Sequence, residues 1–435
     1  MRPLVIGTGV AGTVAALALH KVGFEPQMFE AYDRSAGLTH GVYLTVAVNG
    51  IDALRAVDAH QLVLTKGFPS TEITFYSGSG RRLGAIPMGT VHSGGLATHT
   101  IRRSELYNGL YDEVRRRDIP IHHGKRLVGA ENLPDGRVRA VFADRTSAEG
   151  DLLIGADGVH SAARSLIDPA NPGPRYTGLG NTGGFTSNIN GLSGHDTAGD
   201  TAGDTAGDTA GDTAGDTAGD TAGDTADYVM IWGRDCFFGY TVSPSGEVWW
   251  FANPPSRAEV PPADRADIRD RLLSLLAPDR TPGADLVRAT PGPIPLTNQY
   301  DLPRVPTWRT DRMVLIGDAA HAVTPASGQG AALAAEDAVV LARCLRDTQS
   351  IVDGLSRYER ERRDRVERVV AWGSGMNNTK KQGLVGRVLR DIALPFILRR
   401  AARPAVLSST AWLFDHHVEL DAASGEPSRT REPRR

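Results

Sequence analysis

PLVIGTGVAGTVAALALHKVGFEPQMFE, the stretch from residue 3 to residue 30, decides the fold of this chain. Residues 4–6 are apolar and read as a short buried strand. A glycine-rich turn follows, and then an Ala- and Leu-rich segment over about residues 12–22 that predicts a helix. A second strand ends at Phe29 and Glu30. This order predicts a βαβ unit, and therefore a parallel sheet of the α/β class.

The turn in this stretch, Gly7-Thr8-Gly9-Val10-Ala11-Gly12, has the spacing of a dinucleotide-binding motif. Gly7 permits the tight turn, Gly9 lets the backbone approach a pyrophosphate, and Gly12 lets the helix pack closely on the strand. The helix N-terminus, which includes Ala11, then faces the negative charge of the phosphates. Glu30 lies 18 residues after Gly12, where its carboxylate can accept hydrogen bonds from ribose hydroxyls. This motif alone does not distinguish FAD from NAD.

The composition excludes several classes of protein. Of the 435 residues, 40% are hydrophobic and 23% are charged, which is typical of a soluble globular chain with two domains. The formal net charge of −3 gives no general attraction to nucleic acid or to an anionic membrane. Two cysteines, Cys236 and Cys344, exclude a disulfide framework and a Cys-rich metal site, so no metal is expected. The sequence lacks a run of about 20 apolar residues, so we expect a cytoplasmic protein without membrane insertion.

Two further motifs follow apolar strands later in the chain. Residues 155–158 read Gly-Ala-Asp-Gly and include Asp157, at a junction between a strand and a turn. Residues 317–321 read Gly-Asp-Ala-Ala-His, in which the Asp318 carboxylate can bind the ribityl hydroxyls of a flavin. The backbone amides of residues 328–330 can face the electron-rich edge of a reduced isoalloxazine ring. The residues of this third motif that we expect at the flavin are Gly317, Asp318, Pro325, Gly328, Gln329 and Gly330.

The order of the motifs predicts a Rossmann-like FAD-binding domain interleaved with a β-sheet substrate-binding domain. The FAD-binding parts are residues 1–70, 101–175 and 301–375, and the substrate domain comprises residues 71–100 and 176–300, with C-terminal helices over 376–420 and a disordered tail over 421–435.

A tetrapeptide repeat interrupts the predicted substrate domain. Residues 196–223 contain seven copies of Asp-Thr-Ala-Gly, followed by Asp224-Thr225-Ala226. Gly and Thr disfavour a helix, the Asp residues repel one another at i, i+4, and no side chain is large enough to form a core. The glycine-rich nonapeptide of calcium β-rolls is absent. The pattern therefore predicts an expanded, dispensable low-complexity loop over residues 196–227.

In its three motifs, their order and their spacing, the chain resembles the single-component (class A) FAD-dependent monooxygenases of the aromatic hydroxylase type, of which p-hydroxybenzoate hydroxylase is a member. The resemblance extends from residue 2 to about residue 375 and is weakest over residues 176–300. It implies that Glu30 binds the adenosine ribose, Arg103 contacts FAD near its phosphates, and the backbone at Leu127 meets adenine. It also ties Asp157 to the use of both FAD and NAD(P)H, Asp318 to the ribityl and pyrophosphate groups, and Pro325 with Gly328 to Gly330 to the flavin ring. Residues 39–44 depart from the family, which often carries Gly-Ala-Gly-Ile there, since His40 and Tyr43 put bulk where this loop usually passes close to the flavin.

The resemblance implies a reaction as well as a cofactor. In the family, NADH or NADPH reduces FAD, O₂ adds at flavin C4a, and the hydroperoxide delivers one oxygen atom to a small organic substrate. Hydroxylation or epoxidation of an aromatic compound or of a secondary metabolite is the expected outcome. We expect a monomer or a homodimer.

Three alternative functions share parts of this pattern. A flavin-dependent reductase of isoprenoid double bonds has a similar fold. A flavin-binding sensor without turnover would need only the cofactor site. A flavin-dependent halogenase has the glycine motif, but residues 249–254 only loosely match its tryptophan-isoleucine-proline signature.

The substrate side of the site is predicted less precisely than the cofactor side. Arg234, Tyr240, Trp249 and Trp250 are candidate contacts in the second domain, and strand alternation places Trp249 and Trp250 on opposite faces. Of these residues, we expect Tyr240 and Trp250 to line the substrate pocket. No catalytic residue is assigned, because the flavin supplies the chemistry. His321 is expected to be a structural hydrogen-bonding residue.

Overall fold

The computed structural model describes residues 1–33, 41–89, 96–187, 228–324, 327–378, 384–401, 403 and 409–420. Three predictions from the sequence lie outside these residues: the repeat loop over 196–227, the tail over 421–435 and the flavin contact at Pro325.

Strands occur throughout the first three quarters of the chain. They are β1 (Pro3–Ile6), β2 (Gln27–Phe29), β3 (Tyr43–Val46), β4 (Phe68–Pro69), β5 (Glu72–Ser77), β6 (Arg82–Pro87), β7 (His99–Arg102), β8 (Ile121–His122), β9 (Leu127–Asn132), β10 (Val138–Phe142), β11 (Ser147–Gly150), β12 (Leu152–Gly155), β13 (Arg175–Ser187), β14 (Tyr228–Trp232), β15 (Phe237–Val242), β16 (Glu247–Asn253), β17 (Thr297–Asp301) and β18 (Met313–Leu315).

Helices alternate with the early strands and dominate the last third of the described chain. They are α1 (Val10–Lys21), α2 (Val48–Ala56), α3 (His60–Lys66), α4 (Arg103–Arg116), α5 (Ala162–Ile167), α6 (Arg269–Leu276), α7 (Gly283–Ala289), α8 (Asp318–His321), α9 (Gly330–Arg346), α10 (Ile351–Asn378), α11 (Leu384–Ala401) and α12 (Ala411–Phe414).

The predicted βαβ unit is confirmed at the centre of a parallel sheet. The strand order is β18-β12-β1-β2-β8, and each pair of neighbours runs parallel. Leu4, Val5 and Ile6 are almost completely buried because α1 and α9 pack together over the sheet, with which they share one core. The carboxyl ends of β1, β12 and β18 therefore lie side by side, which brings the three glycine-containing motifs to one edge.

Two small sheets flank this parallel sheet. The antiparallel sheet β11-β10-β9 packs on it through Phe142, which stacks on Phe29 with ring centroids 4.9 Å apart. The antiparallel sheet β3-β7-β4 leads from the parallel sheet toward the second lobe. Residues in β3 and β7 thus lie between the two main sheets of the molecule.

The second lobe is built on a larger sheet with the order β17-β13-β16-β15-β14-β5-β6. Adjacent strands in this sheet run antiparallel except for β14 and β5, which run parallel although about 150 residues separate them in the chain. Helices α6 and α7 cover one face, where Leu272 and Leu286 pack against side chains of β15 and β16. The other face carries Phe185 opposite Trp249 and turns toward β3.

The C-terminal helices pack on both lobes. Helix α10 lies against α9, and α11 lies on strand β6, where Leu398 Cβ is 3.0 Å from the position that a Cβ atom of Gly84 would occupy. Among the helices in the described ranges, none is both long enough and apolar enough to span a bilayer.

Candidate active site

Close backbone packing shapes the first glycine turn. Gly7 has a φ of +102°, and a Cβ atom at this residue would lie 2.4 Å from the carbonyl oxygen of Ala156. A Cβ atom at Gly12 would lie 2.0 Å from the carbonyl oxygen of Gly7. Both glycines are therefore required by the packing of β1, α1 and the end of β12.

Gly9 differs from these two glycines because its Cβ direction is open. Among the described residues, only the Tyr107 hydroxyl oxygen comes within 4 Å of that position, at 4.0 Å. Gly9 caps α1, so the free backbone amides of the first helical turn point to the same space. An open backbone surface at a helix N-terminus is what a bound pyrophosphate needs, and these residues fit the predicted dinucleotide.

Glu30 lies directly beside the glycine turn. Its Oε2 accepts hydrogen bonds from the backbone amide of Thr8 at 2.9 Å and from the Thr8 hydroxyl at 2.7 Å, and its Oε1 accepts one from the amide of Tyr32 at 3.1 Å. Three donors fix the carboxylate, which keeps lone pairs for a ribose. The Lys125 amide donates to the Glu30 carbonyl at 2.7 Å, and the Arg126 guanidinium lies 4.8 Å from the centroid of the Tyr32 ring, so the segment just before Leu127 runs beside Glu30.

Arg103 and Tyr107 form the opposite wall of the turn. The Arg103 guanidinium lies 4.7 Å from the centroid of the Tyr107 ring, and its Nη2 donates to the Tyr107 hydroxyl at 2.7 Å. Both residues belong to α4, which begins at the end of β7. A fixed positive charge beside the open face of Gly9 suits the phosphates of FAD.

The Gly317-Asp318 turn meets the first motif. Gly317 has a φ of +58°, and its Cβ position lies 2.7 Å from the Cβ atom of Ala11. The Asp318 side chain is exposed to solvent, yet partial desolvation by nearby protein atoms raises the pKa of its carboxyl, and the charges of His321 and Arg103 oppose this shift. Arg103 acts electrostatically on Asp318, so the residues predicted at the phosphates and at the ribityl chain lie near each other.

A buried ion network fixes this turn from behind. Asp337 Oδ2 accepts a hydrogen bond from the backbone amide of Gly317 at 2.9 Å and lies 2.5 Å from Nε2 of His321. Its Oδ1 accepts one from Nε of Arg362 at 2.7 Å. Burial raises the pKa of the Asp337 carboxyl, but His321 and Arg362 outweigh that effect and lower it. His321 thus hydrogen-bonds to the buried carboxylate behind the Gly317 turn.

Helices α9 and α10 extend the network. Glu336 lies 2.7 Å from Arg362 and 2.7 Å from Arg365, and it accepts a hydrogen bond from Nδ2 of Asn49 at 2.7 Å. The Asn49 amide also donates to Gln329 at 3.0 Å. The buried Gln329 side chain is therefore tied to the core, and the helix that follows it begins at Gly330 with its N-terminus toward the site.

Asp157 has a clear local role. Its carboxylate accepts hydrogen bonds from Ser161 Oγ at 2.5 Å and from the amides of Ala162 and Ala163 at 2.7 and 3.0 Å, at the start of α5. Arg164 then joins this motif to the third one, because its guanidinium donates to the Ala319 carbonyl at 3.0 Å. The carboxylate holds the turn in shape. Its part in the use of FAD and NAD(P)H stays a prediction.

Strand β3 connects the predicted flavin-ring segment to the second lobe. Gly328 has a φ of +61°, and its Cβ position lies 3.4 Å from the Thr45 hydroxyl oxygen. Tyr43 lies two residues earlier and so points to the same face of β3. Its ring lies 5.7 Å from Trp249 and 6.1 Å from Tyr228, so the aromatic side chains of the second lobe begin where the predicted ring segment ends.

These side chains form what we term the aromatic cluster: Tyr43, Phe68, Phe185, Tyr228, Trp249 and Phe251. Its charged edge is Arg102, whose guanidinium lies 4.1 Å from the Phe185 ring centroid and pairs with Glu247. The same carboxylate accepts a hydrogen bond from Trp249 Nε1 at 2.8 Å. Burial is the main cause that raises the pKa of the Tyr43 hydroxyl well above its usual value, so this hydroxyl stays neutral.

Tyr240 and Trp250 lie on the other face of the same sheet. Both are completely buried among the side chains of α6 and α7, and Trp250 stacks on Phe238 and donates to the Thr290 hydroxyl at 2.8 Å. The structure therefore does not bring these two residues to the cofactor motifs, and this packing gives no support to a role in the substrate pocket. Of the two adjacent tryptophans, Trp249 is the one that faces the site.

These features fit a dinucleotide site of the flavin type, and comparisons with known proteins support that assignment. The sequence model of a family described as FAD binding domain matches residues 2–186 and 248–373. An aurachin C monooxygenase/isomerase of Stigmatella aurantiaca is 28% identical over 372 residues, which cover 85% of this chain and 86% of that protein. A FAD-dependent urate hydroxylase of Klebsiella pneumoniae is 28% identical over 373 residues, which cover 85% of this chain and 88% of that protein.

A solved structure shares the fold. The crystal structure of Klebsiella pneumoniae HpxO complexed with FAD and uric acid superposes with a TM-score of 0.75 at 24% identity, covering 94% of this chain and 97% of that one. The chain belongs to the FAD-binding domain family of aromatic hydroxylase-like proteins. It binds FAD and is an oxidoreductase, a FAD-dependent monooxygenase.

Sequence reasoning missed several residues at this site. Glu336, Asp337 and Arg362 belong to none of the three motifs, and no local sequence pattern indicates that their charges are buried and paired. Arg102 and Glu247 are 145 residues apart, so no local pattern could pair them. Strand alternation places Trp249 and Trp250 on opposite faces of the sheet, so the sequence indicates that only one of them faces the site. Which one does so depends on the face that α6 and α7 cover.

Proposed function

We propose that this enzyme inserts one atom of O₂ into a small, planar aromatic or heteroaromatic substrate, with NADH or NADPH as the reductant. FAD, when bound and reduced, would supply the oxygen-transfer chemistry. The observation that supports this proposal most directly is the shared face of β3, which carries Thr45 beside Gly328 and Tyr43 into the aromatic cluster.

The residues of the cofactor side would hold and orient FAD. The open backbone at Gly9 and the N-terminus of α1 suit the pyrophosphate, Glu30 suits the ribose, and Arg103 suits the phosphate charge. Asp318 suits the ribityl chain, and the N-terminus of α9 would favour negative charge on the ring.

The residues of the substrate side would select flat, apolar rings. Offset and edge-on packing against Tyr43 and Trp249 favours an aromatic partner over a flexible aliphatic one. Arg102 and Glu247 neutralise each other at the rim, where they can still bind a polar substituent. The urate hydroxylase in the same family, which is named for a bicyclic heteroaromatic compound, agrees with this substrate class.

The test is a turnover assay with the purified flavoprotein. NADH and NADPH oxidation is followed with phenols, indoles, purines and alkenes, and the product is analysed after incubation with labelled O₂. We expect one aromatic class to accelerate NAD(P)H oxidation and to gain one labelled oxygen atom. If no substrate in the panel permits NAD(P)H-dependent bleaching of the flavin, the proposed reductant and the proposed substrate class are wrong.

Two variants examine the substrate side. Trp249→Leu is expected to raise KM about twofold to tenfold while FAD content stays unchanged, because it removes an aromatic contact worth about 0.5–1.5 kcal/mol. Tyr176→Leu is the control, since Tyr176 lies on the same sheet but packs on Tyr300 at 5.9 Å. Equal kinetics in both variants would place the substrate elsewhere. Anaerobic consumption of NAD(P)H with an alkene would favour the reductase of isoprenoid double bonds.

A further inference from the structure

Helix α11 exposes large apolar side chains on its outward face. Ile392, Phe396 and Ile397 are 60%, 70% and 58% exposed, while Leu398 on the inward face is buried against the sheet of the second lobe. Residues 392 and 396 are one helical turn apart and form a continuous stripe with residue 397. Three large apolar side chains together on one exposed face indicate a binding surface.

Positive charge surrounds this stripe. Arg399, Arg400 and Arg403 are exposed at the end of α11, and Arg81 and Arg82 are exposed on the neighbouring hairpin of β5 and β6. The Arg81 guanidinium donates to the backbone carbonyl of Asp391 at 2.5 Å, which fixes the hairpin beside the helix. Over residues 384–403 the sequence has five arginines and one acidic residue. This local charge contrasts with the net charge of −3 for the whole chain.

We propose that the outward face of α11 binds the surface of an anionic lipid bilayer and lies in the interface without crossing it. An apolar stripe flanked by arginines is the pattern of an interfacial helix, in which the apolar side chains enter the acyl boundary and the cations meet lipid phosphates. A second copy of this chain is a poorer occupant, because a symmetric contact through α11 would place two arginine-rich surfaces of the same sign against each other.

This placement has a geometric consequence for the second lobe. Leu394 and Leu398 pack with Met230 of β14, and Tyr228 of the aromatic cluster lies two residues earlier on that strand. A bilayer bound to α11 would therefore lie near the strand that carries part of the aromatic cluster. The inference rests on the exposed face of α11 and does not depend on the proposed substrate class.

The test is co-sedimentation of the FAD-loaded protein with vesicles. Vesicles of equal parts phosphatidylcholine and phosphatidylglycerol are compared with vesicles of phosphatidylcholine alone, at low and high salt. We expect binding to the anionic vesicles only, and weaker binding at high salt because the arginine contribution is screened. The double variants F396S/I397S and R399Q/R400Q are each expected to weaken partition on the order of tenfold or more.

Val128→Ser is the matched control. Val128 is an exposed apolar residue, 55% accessible, on β9 far along the chain from α11, and this variant should bind vesicles like the unaltered protein. FAD absorbance and the thermal midpoint verify that each variant is folded. The proposal is overturned if anionic vesicles do not retain the protein, or if F396S/I397S binds them as well as Val128→Ser. A concentration-dependent dimer that F396S/I397S abolishes, without vesicle binding, would assign the face to a second copy.

Discussion

Gly9 and Gly12 differ in what an added methyl group would meet, and this difference separates cofactor binding from folding. Gly9→Ala should lower FAD affinity by about tenfold to a hundredfold, because its methyl group would enter the space that the phosphates need. The protein without FAD should keep its stability, since the backbone at Gly9 has a φ of −68° and the site is open. Gly12→Ala should destabilise the fold by about 1–3 kcal/mol or more, because its methyl group would overlap the Gly7 carbonyl.

FAD titration by fluorescence quenching and thermal denaturation of the FAD-free protein measure the two effects. We expect Gly9→Ala to lose FAD affinity alone and Gly12→Ala to lose both FAD affinity and stability. If Gly9→Ala binds FAD normally, the pyrophosphate does not lie against this turn.

At this scale the cofactor side of the site was predictable and the substrate side was not. Gly7, Gly12 and Glu30 are identified by spacing within one βαβ unit, and the structure brings them together with Arg103 and Asp318. The substrate residues come from strands that are distant in sequence, and the choice between Trp249 and Trp250 depends on packing by α6 and α7. Spacing predicts local geometry, whereas the facing of a sheet is a tertiary property.

Among the elements, the pair α9 and α10 stabilises the Gly317 turn through buried charges. Arg362→Met should destabilise the protein by about 3–5 kcal/mol, because Asp337 and part of Glu336 would lose their buried counter-ion. Arg357→Gln on the same helix should cost less than about 1 kcal/mol, because its partner Glu361 is 32% exposed. Thermal or denaturant unfolding of the two variants measures the contrast. Equal losses would show that the buried network has no special part in stability.

The segment after α12 carries two histidines, His416 and His417, whose pKa values shift in opposite directions. Burial lowers the pKa of His416 to about 4, although Glu336 opposes this shift. Burial also disfavours the charged form of His417, but hydrogen bonding to Glu419 and the charge of Asp52 outweigh it and raise its pKa. The unfolded pKa of histidine is about 6.5. Below that pH the unfolded chain therefore binds a proton that folded His416 resists, whereas folded His417 holds its proton more tightly than the unfolded chain does.

The free energy of unfolding, measured at pH 8 and at pH 5, should separate the contributions of His416 and His417. His416→Gln should reduce the loss of stability between these pH values, by about 1 kcal/mol after allowance for its partial exposure. His417→Gln should increase that loss, because it removes a stabilising contribution that is fully present below pH about 6.5 and disappears as pH rises through the folded pKa. Changes of the same sign in both variants would contradict this assignment.

The elements themselves were predicted unevenly. The βαβ unit and the strands before the second and third motifs could be predicted because their sequence patterns are local. The parallel pairing of β14 with β5 could not be predicted, because no pattern within either strand specifies a partner about 150 residues away.

At the scale of the whole molecule, the acidic repeat over residues 196–223 can be deleted, because the strands on either side of it end close together. Ser187 ends β13 and Tyr228 begins β14 at the same end of the large sheet, with β16 and β15 between them, so about 14 Å must be bridged. Removing residues 196–223 leaves residues 188–195 and 224–227, twelve residues that can reach about 40 Å. The deletion should keep FAD content and raise stability by about 1 kcal/mol, because a shorter connection costs less entropy to close.

Thermal denaturation and the FAD-to-protein absorbance ratio measure this outcome. A length-matched Gly/Ser replacement of residues 196–223 is the control and should restore the original midpoint. Loss of FAD in the deletion but not in the replacement would show that the length of the segment matters to the fold, contrary to the prediction that it is dispensable.

The parallel pairing of β5 with β14 also affects how the chain is made. The hairpin of β5 and β6 is complete once residue 87 leaves the ribosome, yet the partner of β5 begins at Tyr228. At synthesis rates of about 5–20 residues per second, an edge strand with two phenylalanine or tyrosine side chains waits on the order of ten to thirty seconds for its neighbour. Unpaired edges of this kind aggregate readily. Nascent chains halted between these points are therefore expected to need a chaperone, and the enzyme to be sensitive to mutations that slow translation of this interval.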